Sequence, residues 1–174
     1  MIRSIILILI TNLLLLSCGN NSHTQKQIKH INKKTLKGVN RILTQKDEDE
    51  MRGFARRRKW NVKLDSTGYF YEIYQHGNGT KVSDKSFVTL KYKVFLLDGT
   101  VCYNSDSTGL LRFRVGQTDI ESGLDNGVRK LREGDKARFI FPPFLAHGLL
   151  GDEKKIPPRS IIIYDVELIE VSDY

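Results

Sequence analysis

The sequence predicts an α+β domain in which a curved antiparallel sheet wraps over one short α-helix, and three observations carry that prediction. Residues 69–74, 87–97, 111–115, 136–141 and 161–170 read as strands, the clearest of them alternating their side chains at a two-residue period. Turn-forming Gly77-Asn78-Gly79 and Asp98-Gly99 close the first two stretches, and Asp98-Gly99 is a strong hairpin signal. Between the third and fourth stretches, Ile120, Leu124, Val128 and Leu131 recur every three or four residues, the one convincing helical stripe in this part of the chain. One short helix with five antiparallel strands indicates a sheet curled over that helix.

From the N-terminus, Arg3 precedes an apolar run from Ile5 to Leu16, interrupted only by Thr11 and Asn12. This is the pattern of an export signal, too short for a comfortable membrane span. The run stops at Leu15-Leu16-Ser17-Cys18, which resembles the lipobox of bacterial lipoproteins. That resemblance implies a lipoprotein signal peptide over 1–17 and a diacylglycerol on Cys18. Residues 18–35, rich in Asn, Ser, His, Gln and Lys, read as a flexible tether. Residues 36–60 read as a basic amphipathic helix, with Val39, Ile42, Leu43, Met51, Phe54 and Ala55 roughly on one face and a break at Lys46 and Asp47. The broken stripe indicates a helix that docks weakly or serves as a spacer, a dimerisation helix being the sharper alternative. The domain itself is expected over 61–174. In its second strand Leu90, Tyr92 and Val94 oppose Lys91 and Lys93; in its last, Ile162, Tyr164, Val166 and Leu168 oppose Ile161, Ile163, Asp165 and Glu167. Asp119 or Ser122 is the expected cap of the short helix, and Gly134 its end.

The net charge of +8 is unevenly divided: residues 19–60 hold 12 basic and 4 acidic side chains, whereas 61–174 hold 15 and 16. The basicity therefore belongs to the segment ahead of the domain, which suits an anionic membrane surface and not nucleic acid. With two cysteines, Cys18 and Cys102, the chain is neither a disulfide-rich scaffold nor a thiolate zinc site. His23, His30, His76 and His147 have no nearby ligand pairs, so no metal is expected. HExxH, GxSxG, phosphate-binding and dinucleotide-type glycine motifs do not occur. Cys102, with no adjacent basic residue, reads as a buried inert thiol. Phe139 and Phe141 read as core, and Phe113 fits core or a cleft wall equally.

Read in order, residues 67–174 resemble the FKBP-type peptidyl-prolyl isomerases. The resemblance is carried by Val88-Thr89-Leu90-Lys91-Tyr92, Leu97-Asp98-Gly99-Thr100, Phe113-Arg114-Val115-Gly116, Ile120 through Gly127-Val128, Leu145-Ala146-His147-Gly148, Ile156-Pro157-Pro158 and Tyr164-Asp165-Val166-Glu167-Leu168. The leader and basic helix additionally resemble the gliding-motility-associated FKBP-type lipoproteins of Bacteroidetes. The resemblance implies an FKBP-like fold and a proline-binding site in which Tyr92, Tyr103, Phe113, Ile120, Leu124, His147 and Tyr164 are catalytic. Cys102, Leu111, Glu121 and Ile156 complete the implied substrate-binding lining. It also implies that the chain departs from its family at Cys102-Tyr103, where a Phe-Asp pair is usual, at Glu121 for isoleucine, at Leu124 for tryptophan and at His147 for tyrosine. The pocket is therefore expected to be shallower and more polar than the family average.

The function implied is a membrane-anchored isomerase, with its domain facing the periplasm of a bacterial envelope, that assists exported envelope or motility proteins. Its partners would be proline-containing exported polypeptides, an anionic membrane surface, and motility or envelope lipoproteins. No cofactor is implied, since twisting an amide requires no nucleophile. The candidate hydrogen-bond donors are the backbone N–H of Ile120 or Glu121, the Tyr103 hydroxyl and the His147 ring. The competing reading is a non-catalytic binding or chaperone module for proline-containing partners, which the Cys102-Tyr103 pair favours.

Overall fold

A computed structural model describes residues 22–117 and 120–173, with side chains from Thr35 onward. The signal over 1–17, the lipidation site Cys18 and the cap candidate Asp119 lie outside the described residues. The chain divides into two compact units, Met1–Leu43 and Thr44–Tyr174.

Helix α1 covers Ser22–Arg57. The flexible tether expected over 18–35 is corrected by this: from Ser22 onward the segment is helical. It holds no proline, and its Lys and Gln are good helix formers even without an apolar period. In the first unit Leu36, Val39 and Ile42 are exposed. In the second, Met51, Phe54 and Ala55 are buried in a cluster with Phe70, Ile140, Ile161 and Ile163. The expectation of weak docking is therefore overturned, and the domain begins at Thr44, not at 61, because the last turns of α1 are part of its core. Asp47, which broke the apolar stripe in the sequence, is itself buried; Nη2 of Arg159 donates to its two carboxylate oxygens at 2.9 and 3.2 Å. Desolvation pushes the Asp47 carboxyl above its ordinary range, and the Arg159 charge and bond oppose that rise. The helix stops where Lys59 turns left-handed at φ 57° and Trp60 N–H donates back to Ala55 O at 3.0 Å.

Strands β1 (Lys63–Leu64), β2 (Phe70–Gln75), β3 (Phe87–Leu96), β4 (Val101–Asn104), β5 (Leu111–Arg114), β6 (Lys136–Phe141) and β7 (Ile162–Ser172) form one sheet. The order is β1-β2-β6-β7-β3-β4 with β5 also on β3, and every pairing is antiparallel. β1 and β4 were not expected; β1 is only two residues long, and β4 is the return strand after the Asp98-Gly99 turn. β3 pairs with β7 along its length, while its other edge is divided: Lys93, Val94 and Phe95 face β4, and Phe87 to Leu90 face β5. At the gap between them lies Tyr92. Its N–H is taken by Ser105 Oγ at 3.2 Å, from the short helix α2 (Ser105–Thr108) that leads from β4 to β5.

Helix α3 (Ser122–Val128) packs its buried residues, Gly123, Leu124, Gly127 and Val128, on the main core. The two glycines permit this approach: a Cβ on Gly123 would lie 2.6 Å from Phe141 Cδ1, and one on Gly127 2.9 Å from Phe139 Cε1. α3 ends at Val128, ahead of the expected Gly134. The reason is that Leu131 and Glu133 bond in ladder fashion to the backbone at Gly79, Thr80 and Val82. Ser122 is the first helical residue and not the cap; Glu121 holds that position and makes no capping bond with its side chain. The alternation expected in β7 is realised: Ile162, Tyr164, Val166 and Leu168 join the α3 side of the sheet, and Ile161 and Ile163 the α1 side.

Candidate active site

The eleven residues implied as site residues come from β3, β4, β5, α3 with the two residues before it, two loops and β7, and the fold brings them to one region. Cys102, Phe113, Leu124, Ile156 and Tyr164 are buried in the main apolar cluster, and Tyr92, Tyr103, Leu111 and Ile120 pack against it while partly exposed. Phe113, at 6% exposure, belongs to the core and to the site at once. The Tyr92 and Tyr164 rings lie 6.3 Å apart at 35°, and Phe141 meets Tyr164 edge-on at 5.9 Å. Leu124 has no exposed surface, consistent with an apolar floor.

Polar groups around this cluster are paired within the protein. The Tyr164 hydroxyl donates to Glu121 Oε1 at 3.0 Å, and His147 Nε2 lies 2.8 Å from the same oxygen. Burial, followed by the adjacent Glu121 charge and bond, holds the Tyr164 phenol well above its ordinary range. The Tyr92 hydroxyl is 2.8 Å from Thr108 Oγ1. The Tyr103 hydroxyl donates to Asp152 Oδ2. The other oxygen of that carboxylate, Oδ1, accepts from the N–H groups of Lys154, Lys155 and Ile156 at 2.9, 2.9 and 2.7 Å. Burial works to raise the Asp152 carboxyl, but these bonds outweigh it and hold the group at about 2. The same contact pushes Tyr103 up to about 12, with burial adding to it. Burial, then the charges of Asp152 and Asp98, raise the Cys102 thiol, whose Sγ lies 3.5 Å from Lys155 O; this fits an inert thiol.

Two of the expected substrate donors are thus engaged at home: Tyr103 by Asp152 and His147 by Glu121. Where the resemblance implies that a carboxylate is lost at Cys102-Tyr103, a loop brings Asp152 to Tyr103, and no family motif marks that aspartate in the sequence. Its signal was a turn: an aspartate after Gly151 whose side chain accepts from following N–H groups. Phe141 was read as core only, and Thr108 and Ser105 lay in a segment with no strand or helix period. Among the described residues no group of three or more His, Cys, Asp or Glu could hold a metal ion.

The family model for FKBP-type peptidyl-prolyl cis-trans isomerases matches residues 78–169. The Escherichia coli (strain K12) protein named FKBP-type peptidyl-prolyl cis-trans isomerase FkpA is 34% identical over 129 residues, which are 71% of this chain and 47% of that protein. The crystal structure of FkpA from Escherichia coli has a TM-score of 0.61 at 25% identity, covering 98% of this chain and 82% of its own. A crystal structure of a peptidyl-prolyl cis-trans isomerase from Pseudomonas syringae pv. tomato has a TM-score of 0.64 at 26% identity, covering 76% of this chain and 95% of its own. The chain spans about half the length of the curated relatives it matches.

Proposed function

The chain belongs to the FKBP-type peptidyl-prolyl cis-trans isomerase family, and we propose that it catalyses cis/trans rotation about X-Pro bonds in polypeptides. The observation that carries this reading is the convergence of Tyr92, Phe113, Leu124 and Tyr164, from four separate elements, in one apolar cluster with a partly exposed edge. The amide barrier of roughly 18–20 kcal/mol arises from resonance, which the twisted state has lost. A planar amide has the larger charge separation, so it gains less than the twisted one on entering an apolar site from water. The lining therefore binds the transition state better than either ground state, which is what accelerates the step. Ring walls on several sides also restrict the proline while the residue before it swings. With the Tyr103 hydroxyl and the His147 ring engaged internally, the backbone N–H of Glu121 is the candidate donor for the displaced carbonyl or the proline nitrogen.

The clients in this reading are exported envelope or motility proteins, with the domain held at a bacterial membrane through a lipid on Cys18. The apolar run ending in Leu-Leu-Ser-Cys and the basic segment after it support that placement. No helix among the described residues is long and apolar enough to cross a membrane. Mass spectrometry of the native N-terminus tests the anchor: a diacylated Cys18 is expected, and an unmodified Cys18 would refute it.

A second reading, binding without turnover, is favoured by Cys102-Tyr103, where the family's aromatic wall is missing. The two readings separate in the refolding of a protein whose slow phase is X-Pro isomerisation. An isomerase accelerates that phase in proportion to its own substoichiometric concentration. A binder leaves it unchanged or retards it, and that result would displace the enzyme reading.

A further inference from the structure

We propose that the Glu121 carboxylate is a specificity element, giving this site a preference for proline flanked by a basic residue and a bias against an acidic one. The inference rests on the proline-binding reading above and names the sequence class that such a site selects. Three observations carry it. First, Glu121 occupies the cap position of α3 and makes no capping bond, so its carboxylate is not committed to the helix end. Second, the carboxylate is held on the site side by donors from two other elements, Tyr164 Oη of β7 at 3.0 Å and His147 Nε2 of the loop after β6 at 2.8 Å. Third, Tyr164 belongs to the apolar site cluster and pairs with Tyr92, so the charge sits at the edge of the very surface that would contact the proline.

A carboxylate whose side chain is 12% exposed is poorly screened, and it is not neutralised by either donor unless the imidazole is protonated. Placing a second carboxylate near it costs free energy, whereas an ammonium or guanidinium relieves its desolvation. Lysine and arginine also carry long apolar stems that lie along aromatic surface while the charged end reaches an acid. The other acid of the site, Asp152, is distinguished from Glu121 by its bonds. Three backbone N–H groups and Tyr103 hold it, and the Lys155 ammonium lies 5.3 Å from the Tyr103 ring beside it.

The test uses the full chain at a fixed pH of about 8. Two peptide series place Lys, Leu or Glu immediately before or immediately after proline. For each peptide both the isomerisation rate (kcat/KM) and the affinity (Kd) are measured, with wild-type protein and with Glu121→Gln, which keeps the side-chain shape and an acceptor oxygen. The expected result is a Lys over Glu preference of about tenfold in at least one series, shrinking toward unity in Glu121→Gln. An absence of Lys over Glu preference in wild type in both series overturns the proposal, whatever the variant does. A wild-type preference that a folded Glu121→Gln retains also overturns it, since the carboxylate then serves structure alone. If Glu121→Gln does not fold, Glu121→Ile, the residue usual at this position in the family, takes its place: loss of the Lys over Glu preference supports the proposal and its retention overturns it. Binding with the expected preference but no acceleration for any peptide would sink the isomerase reading and leave the specificity element standing. If no peptide is bound or turned over, both fall together.

Discussion

Tyr103 and Asp152 hold each other in opposite protonation states, and each limb of that contact has its own pH window. Asp152 lies at about 2, below its ordinary 3.8, so its share of stability is fully present above that ordinary value and is lost as pH falls toward 2. Tyr103 lies at about 12, above its ordinary 10, so its share is present below 10 and lost as pH rises through about 12. After allowance for solvent screening, the acid limb is worth about 1 kcal/mol. Urea denaturation of wild type and Asp152→Asn from pH 5 down to about 2 should show the wild-type advantage shrinking; an advantage that is constant or grows on acidification would contradict the assignment. Asp152→Ala goes further, leaving three loop N–H groups without their acceptor, and should cost about 1–3 kcal/mol by the same method. This contact shows where the sequence stops being readable. Tyr103 was named because of its place in a motif, but its partner is 49 residues away in a loop that only the folded chain returns to β4. Glu121 and His147 were likewise visible as departures from a pattern, whereas their bonding to one another through a shared oxygen was not.

Among the elements, the strands announced themselves most faithfully, because a sheet with different neighbours on its two faces stamps a period of two on the chain. β6 was read with its observed bounds, and the alternation in β7 assigned its residues correctly to two opposite clusters. α1 is legible at its C-terminal end, where Met51, Phe54 and Ala55 of the expected apolar face are buried, but its start follows from local helix preference without any apolar face, and the strength of its docking depends on Phe70, Ile140 and Ile163, which are far away in sequence. Burial of Met51, Phe54 and Ala55 makes the end of α1 a structural part of the domain. Phe54→Ala should therefore cost about 3–5 kcal/mol in chemical denaturation, and a cost under about 1 kcal/mol, as expected of a surface position, would contradict the docking. A chain starting at Thr44 should keep near-full stability. One starting at Asn61 uncovers that apolar face and should be markedly less stable or aggregate; equal melting of the two would show α1 to be dispensable. Beyond the helix end, Arg138 of β6 lies between the Trp60 and Tyr74 rings at 4.7 and 4.2 Å, a further tie from the segment after α1 to the sheet.

At the scale of the whole molecule, the charge division and the aromatic cluster underlie two proposed tasks along one chain. Residues 20–43 carry six basic and no acidic side chains. A chain beginning at Asn20 should therefore bind anionic vesicles at low salt and release them as salt rises, while one beginning at Thr44 binds far less. Equal binding by the two in a flotation assay would remove the first task from this segment. The second task, turning X-Pro bonds, rests on ring walls and desolvation, without a metal or nucleophile in the proposed mechanism, and it is the central claim. Its most direct measurement is NMR exchange spectroscopy on a Leu-Pro peptide with a catalytic amount of the folded protein, alongside Phe113→Ala checked separately for folding. Cis/trans exchange is expected to be faster than in buffer and linear in protein concentration, and reduced in Phe113→Ala by loss of contacts made more closely to the twisted amide. Saturable binding of the same peptide by folded wild type with no change in its exchange rate would contradict it.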